Sequence, residues 1–371
     1  MLKNCGIVIT SIFDNGWLER MFDELSVSGE LENTTIYYIV DYKTPSTVAE
    51  KIVMHKKKGL KIIAPTLPEQ LELEAKHGVS TLILKNSDHR RNLGYLLAWF
   101  DEVDFVISMD DDNFPLTPNF VNEHRVRLGT RSEISLVDSE LGVYNNCELL
   151  ESGTHIHPRG FPFLKKRNNK YTQSIRTKVG VGVNAGMWTI SPDVDAMSWL
   201  IDQRTFDTVS AVNDIGLDVN VYCPVNSQNT SLLHKYIPAY YFVRMGYDIG
   251  GGLNFDRLGD IYSGYFLQKV CKTLGDYVSF GMPLVTHERN SHNYLNDANN
   301  EWGCLRTIDE FVEWISHTSL AGHNVKDVYC SLADSLDEFA AETNFKYMKR
   351  STEGFYHSMA YEMRKWVRAF G

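Results

Sequence analysis

Residues 105–109 read Phe-Val-Ile-Ser-Met, a nearly continuous apolar run that ends directly on Asp110, Asp111 and Asp112. A strand without polar alternation is one buried on both faces, the condition of a parallel sheet covered by helices. In such open α/β sheets the ligand lies beyond the carboxyl ends of the strands, so three acids there are placed for a site rather than for a solvated turn. The preceding chain keeps the same rhythm. Residues 6–12, 35–40 and 60–64 predict strands, and residues 17–25 and 48–57 predict the helices between them.

After Pro118 the pattern gives way to irregular segments rich in Gly, Asn and Pro, running to about residue 235 and including the basic residues Lys165, Lys166, Arg167, Lys170, Arg176 and Lys178. Long loops of this kind are usually substrate-binding or mobile. From Arg306 onward the spacing predicts helices: one opened by a Thr307/Glu310 capping box, a second over 325–345 and a third over 355–370. The organisation expected is therefore residues 1–118 and 119–300 as two halves of one α/β domain, followed by a helical extension over 301–371.

Charge and cysteine usage exclude some functions. Lys and Arg total 37 against 47 Asp and Glu, a formal net charge of −10, which opposes binding to phosphate backbones and makes nucleic acid a poor partner. The six cysteines are scattered with no CxxC pair, no secretory signal is visible and no apolar run reaches the length of a membrane span, so a cytoplasmic protein with free thiols and no transmembrane segment is expected.

Four constellations carry chemistry. In the first, period-two alternation points Asp110 and Asp112 to one side and Asp111 to the other. The outer pair are hard oxygen ligands suited to Mn²⁺ or Mg²⁺ against a diphosphate, and the middle acid faces backbone donors or a ribose. In the second, Arg90 and Arg91 open a helix. Cations in a first turn oppose the helix dipole, so an anion is expected beside them, either a diphosphate or a ring of acids. The third is Asp260 before an aromatic helix, suited to a general base, to an electrostatic partner of a cationic sugar, or to a plain N-cap. In the fourth, His287 ends an apolar strand as the acid triplet does, and an imidazole there can complete a metal shell with two of the carboxylates. The segment 10–16, Thr-Ser-Ile-Phe-Asp-Asn-Gly, lacks the lysine and the glycines of a nucleotidyltransferase phosphate loop. The apolar stripe Met359, Met363, Trp366, Val367 and Phe370 is suited to packing on the main domain, or to contact with a membrane or a second subunit.

In this order the segments resemble the reversibly glycosylated polypeptide family, whose plant members include UDP-arabinopyranose mutases, within the GT-A glycosyltransferases. The matching pieces are residues 87–95, the triplet with Phe114, Arg159-Gly160-Phe161-Pro162-Phe163, residues 184–196, residues 257–264 and His287. The resemblance implies a GT-A, Rossmann-like nucleotide-sugar fold with a mixed central sheet. It also implies a divalent metal on Asp110, Asp112 and His287, a nucleoside against Thr10 and Asp41, donor phosphates or sugar against Arg90 and Arg91, and Asp260 near the reacting sugar. Residues 164–170, Leu-Lys-Lys-Arg-Asn-Asn-Lys, depart from the plant pattern, in which an arginine near the Arg-Gly-aromatic-Pro-Phe motif is reversibly glycosylated.

The expectation is a metal-dependent glycosyltransferase that moves a sugar from a nucleoside-diphosphate donor, a UDP-sugar first, to the hydroxyl of a small-molecule or glycan acceptor. The alternatives are a pyranose/furanose mutase of nucleotide sugars and a noncatalytic nucleotide-sugar-binding scaffold, with homo-oligomers formed through the C-terminal helices.

Overall fold

A computed structural model describes residues 2–150, 156–167, 169–203, 205 and 211–371. The amino-terminal third folds as its apolar rhythm requires: β1 (Cys5–Ser11), α1 (Trp17–Ser28), β2 (Thr34–Val40), α2 (Ser46–Lys57), β3 (Lys61–Ile63), α3 (Leu67–Lys76), α4 (Arg91–Phe100), β4 (Phe105–Met109) and the short β5 (Asn113–Pro115). β1 is buried at every position and lies parallel to both β2 and β4. The helix α4 crosses β1 at Gly94, where a Cβ would sit 2.6 Å from Val8 Cγ1, so only glycine allows this approach.

The chain continues through α5 (Phe120–Arg125), β6 (Gly129–Ser139), β7 (Tyr171–Ile190), α6 (Ala196–Ile201), β8 (Ile215–Leu217), β9 (Asn229–Leu233), β10 (Tyr247–Gly250), β11 (Leu253–Phe255), α7 (Gly259–Thr273) and β12 (Tyr277–His287). Among the described residues one sheet has the order β3-β2-β1-β4-β9-β7-β6-β8-β12-β5, with a further pairing of β7 to β12. Because β9 runs antiparallel to β4, the sheet is mixed, as expected. It runs from the amino-terminal segment to β12 without interruption, and the glycine run 250–252 turns the separate β10-β11 hairpin.

Three helices close the chain: α8 (Tyr294–His317), α9 (Val325–Glu342) and α10 (Lys349–Arg368). Here the predicted start is wrong. α8 begins at the Asn293 cap, whose side chain accepts from Asn296, and runs through position 300/301. Thr307 lies mid-helix, its hydroxyl donating to the Gly303 carbonyl rather than capping anything. The stripe Met359, Met363, Trp366, Val367 and Phe370 is buried within the chain, and so is Trp188. No described helix is long and apolar enough to cross a membrane. All six cysteines are free, five of them buried.

Candidate functional site

Sheet register builds the first wall of a cavity. β1 pairs with β4 so that Val8 faces Ser108; three residues on, the same offset sets Ser11 beside Asp111. The Ser11 hydroxyl donates to the Asp111 carboxylate, and the Asn15 amide donates to the Asp111 carbonyl. Burial pushes the Asp111 carboxyl up to about 6, against the Ser11 bond, with Asp112 and Asp110 adding to the rise. On the other side, β12 pairs His287 with Asn113 in β5 and with Ile190 in β7. That places the His287 Nδ1 2.8 Å from the Ser191 carbonyl and its Nε2 3.5 Å from Asp112 Oδ2. Burial opposes charge on both groups, but their mutual attraction prevails, holding Asp112 below and His287 above their ordinary values.

The arginine pair meets acids, as its dipole-opposed position predicts, but the two arginines part company. Arg91 donates to Asp110 Oδ1 at 2.6 Å and to Ser108 at 3.2 Å, and it lines the cavity. Burial works against its charge and Asp110 more than restores it. Arg90 turns away: it donates to Gln70, to the Leu84 carbonyl and to Glu74 at 3.3 Å, its side chain is 2% exposed, and it does not line the cavity. The reason is α3, whose buried Gln70 and Glu74 supply the acceptors.

Asp41 follows β2 and lines the cavity, yet its oxygens are spent within the chain, on backbone amides and on Arg90, whose Nε lies 3.8 Å from Oδ1. Oδ1 accepts from Tyr42 and Asn86 and Oδ2 from Ser87, so the carboxylate fastens the loop that leads into α4. Thr10 also lines the cavity, with its hydroxyl donating to the Ile39 carbonyl at 2.8 Å.

Asp260 lies in the first turn of α7 and is not its cap, a position held by Leu258. Its partner is Arg159, which gives both terminal nitrogens to the Asp260 carboxylate, at 2.8 Å and 3.1 Å, and donates from Nε to Asp193 at 2.9 Å. Gly160, at φ +80°, sets Arg159 there: a Cβ would strike Ile261 of α7, which explains why the motif is Arg-Gly. All three side chains are 11% exposed or less. Burial raises Asp260, while Arg159 and the Asn226 amide hold Asp193 down against the same burial.

These groups line one cavity of about 280 Å³ at the carboxyl ends of β1, β2 and β4. It contains Thr10, Asp41, Arg91, Asp110, Asp111, Asp112, Asp260 and His287, all expected from the sequence, and it omits Arg90. It also contains groups to which the sequence reading gave no role: Arg159, Asp193, Arg257, Arg289 and His292. Arg159 and Asp193 lie inside segments singled out above, but nothing local signals that they meet. Of the basic segment, Lys165 pairs with Glu313 and Lys166 with Asp195. Asn168, Arg204 and residues 151–155 and 206–210 lie outside the described residues.

Among the described residues no three carboxylate, imidazole or thiolate groups already converge as a metal set. Asp112 and His287 face one another, and a histidine whose Nδ1 bonds a carbonyl presents Nε2, as metal ligands do. Asp110 is engaged at Oδ1 by Arg91 and Ser227, leaving Oδ2. Asp112 Oδ1 accepts from Asn113 at 2.8 Å, so the oxygens these three side chains would turn toward a metal are Asp112 Oδ2 and Asp110 Oδ2, beside His287 Nε2.

Residues 155–371 match the family described as reversibly glycosylated polypeptide. The chain is 24% identical over 213 residues to a protein named probable UDP-arabinopyranose mutase 4 of Arabidopsis thaliana, covering 57% of this chain and 52% of the relative. It is 23% identical over 183 residues to UDP-arabinopyranose mutase 1 of Oryza sativa subsp. japonica, covering 48% and 46%. A rice relative named probable inactive UDP-arabinopyranose mutase 2 is 24% identical over 243 residues, covering 63% and 64%. The matched region thus spans about half the length of the first two relatives. Among solved structures, glucosyl-3-phosphoglycerate synthase of Mycobacterium tuberculosis with Mn²⁺, UDP-glucose and phosphoglyceric acid aligns at TM-score 0.40 and 10% identity, covering 83% of this chain and 80% of that one.

Proposed function

The chain belongs to the reversibly glycosylated polypeptide family, and on that premise we propose that it is a cytoplasmic, divalent-metal-dependent enzyme that breaks the bond between a sugar and the diphosphate of a UDP-sugar, passing the sugar to an acceptor hydroxyl. The observation that carries this reading is one cavity lined by Asp111, Asp112 and His287 together with Arg159, Asp193 and Asp260. In this reading residues 1–118 receive the nucleotide and its diphosphate, and residues 119–300 receive the acceptor.

Asp112, His287 and Asp110 would hold Mn²⁺ or Mg²⁺, which neutralises charge on the departing diphosphate. Arg91, 2.6 Å from Asp110 Oδ1, holds that carboxylate at that end of the cavity. Thr10 and the loop fastened by Asp41 border the nucleoside. Arg90 acts at a distance, bracing that loop from beneath. With both oxygens accepting from Arg159, Asp260 is paired rather than free to serve as a base, which suits it to stabilise positive charge developing at the sugar carbon.

A second reading is favoured by the relatives' names: a pyranose/furanose mutase, which shares this first bond cleavage and returns the sugar to the same diphosphate. The two are separated by incubating the protein with UDP-sugars, UDP-arabinopyranose among them, and Mn²⁺. A transferase releases free UDP in step with acceptor consumed. A mutase changes the ring form while the UDP-sugar total stays constant. No change in any donor overturns both.

A further inference from the structure

A hydroxyl that attacks a sugar carbon must deliver its proton somewhere, and the carboxylates beside the Arg159 guanidinium are occupied. Asp260 accepts twice from Arg159, and Asp193 accepts from Arg159 and Asn226. His292 lines the same cavity from the segment between β12 and α8, with 22% of its side chain exposed. Its Nδ1 lies 2.9 Å from Asp297 Oδ2, and the ring lies nearly parallel to that of Tyr294, 12° apart with centroids separated by 6.2 Å. Asp297 is itself anchored in the first turn of α8, its Oδ1 lying 3.3 Å from Arg257. A carboxylate on Nδ1 fixes the tautomer and leaves the lone pair on Nε2. That atom has no hydrogen-bond partner among the described residues.

We propose that His292, oriented by Asp297, is the general base of this cavity. Nε2 takes the proton of the attacking hydroxyl as that oxygen bonds to the sugar carbon; the bond from that carbon to the diphosphate oxygen breaks, and its electron pair leaves on the diphosphate. The charged groups facing the imidazole are Asp297, Arg257 and Arg289. Burial and the two arginines outweigh Asp297 and keep the ring neutral at physiological pH, the form a base requires. Asp297 is a positioning residue in this scheme, and Tyr294 sets the plane of the ring.

The inference rests on the nucleotide-sugar reading, and the experiment separates the two. The full chain, His292→Gln, His292→Ala and Asp297→Asn are compared for UDP binding with Mn²⁺ by calorimetry and for single-turnover decay of the UDP-sugar across pH. The inference expects UDP affinity within about twofold of the parent and rates lower by about 10²–10⁴-fold for the His292 variants. It also expects loss of the acidic limb of the pH profile and partial rescue of His292→Ala by imidazole. Variants that turn over at the parental rate with the acidic limb intact overturn it, as do variants that lose UDP binding in parallel with rate. A parent protein that decays no UDP-sugar overturns the functional reading, and the inference falls with it.

Discussion

Replacing Arg159 by Met tests the architecture of the cavity wall. The guanidinium is flanked by Asp193 and Asp260 in a setting where all three side chains are 11% exposed or less. Removing the cation leaves two carboxylates buried without their partner, and breaking a buried pair in this way costs about 3–5 kcal/mol. Against a typical stability of about 5–15 kcal/mol this is a large fraction of the total. The pH dependence has a definite sign. In the parent, Asp193 is held below its ordinary value and contributes stability above the unfolded carboxylate value, lost as pH falls through its folded pKa. In the variant both carboxyls rise, so the deficit is greatest well above about pH 4 and shrinks on acidification as they take up protons. Urea unfolding near pH 5 and near pH 8 measures this. Adding Asp260→Asn to the variant should recover part of the loss. A deficit under about 1 kcal/mol that is the same at both pH values would refute the claim that Arg159 neutralises a buried acid pair.

Three further outcomes are expected. Gly94→Ala would gain about 1 kcal/mol from helix propensity in an open setting, but its Cβ would meet Val8 at 2.6 Å and Ile39 at 3.3 Å, so a net loss of about 1 kcal/mol is expected, and a raised urea midpoint would show that α4 tolerates displacement from β1. Glu362 in α10 is pushed up to about 7 by burial, against its bond from the Tyr241 hydroxyl; its ionisation therefore costs stability as pH rises from the unfolded value toward 7 and beyond. Glu362→Gln should accordingly be more stable than the parent by about 1–3 kcal/mol above pH 7, with the advantage gone near pH 4.5, and a pH-independent difference contradicts this. Arg90→Met should lower thermal stability, because Gln70 and Glu74 lose their buried partner, while UDP affinity falls only through loosening of the Asn86 and Ser87 loop; loss of all UDP binding with unchanged melting would place Arg90 on the ligand instead.

The first half of the fold was legible because parallel strands buried on both faces leave continuous apolar runs. The same reasoning found the acid triplet and His287, since each ends such a run and lateral strand pairing brings the ends together. The middle of the chain was not legible. β9 carries Asn229, Thr230 and Ser231, all fully buried, where hydropathy predicts a loop. His124 lies 2.9 Å from both Asn229 Oδ1 and Ser231 Oγ, a pairing across more than a hundred residues, and Thr230 donates to the Asn226 carbonyl. α8 was started late because its first turns face the polar cluster of Arg257, Asp297 and Glu301 rather than the core, so the apolar period begins well inside the helix. Arg159 meets Asp193 across 34 residues and Asp260 across 101, and only the fold brings them together. Arg90 misled for a related reason: a buried arginine at a helix start calls for acids, and nothing local distinguishes a ligand's phosphate from Glu74.

The most direct test of the account is calorimetric titration of UDP and UDP-sugars into the full chain with and without Mn²⁺, repeated on Asp112→Ala. Tight binding of the diphosphate is expected, dependent on the metal and lost in the variant while its melting stays near the parent's. Equal affinity with and without metal, or a variant that binds as the parent does, would contradict a metal held between Asp112 and His287.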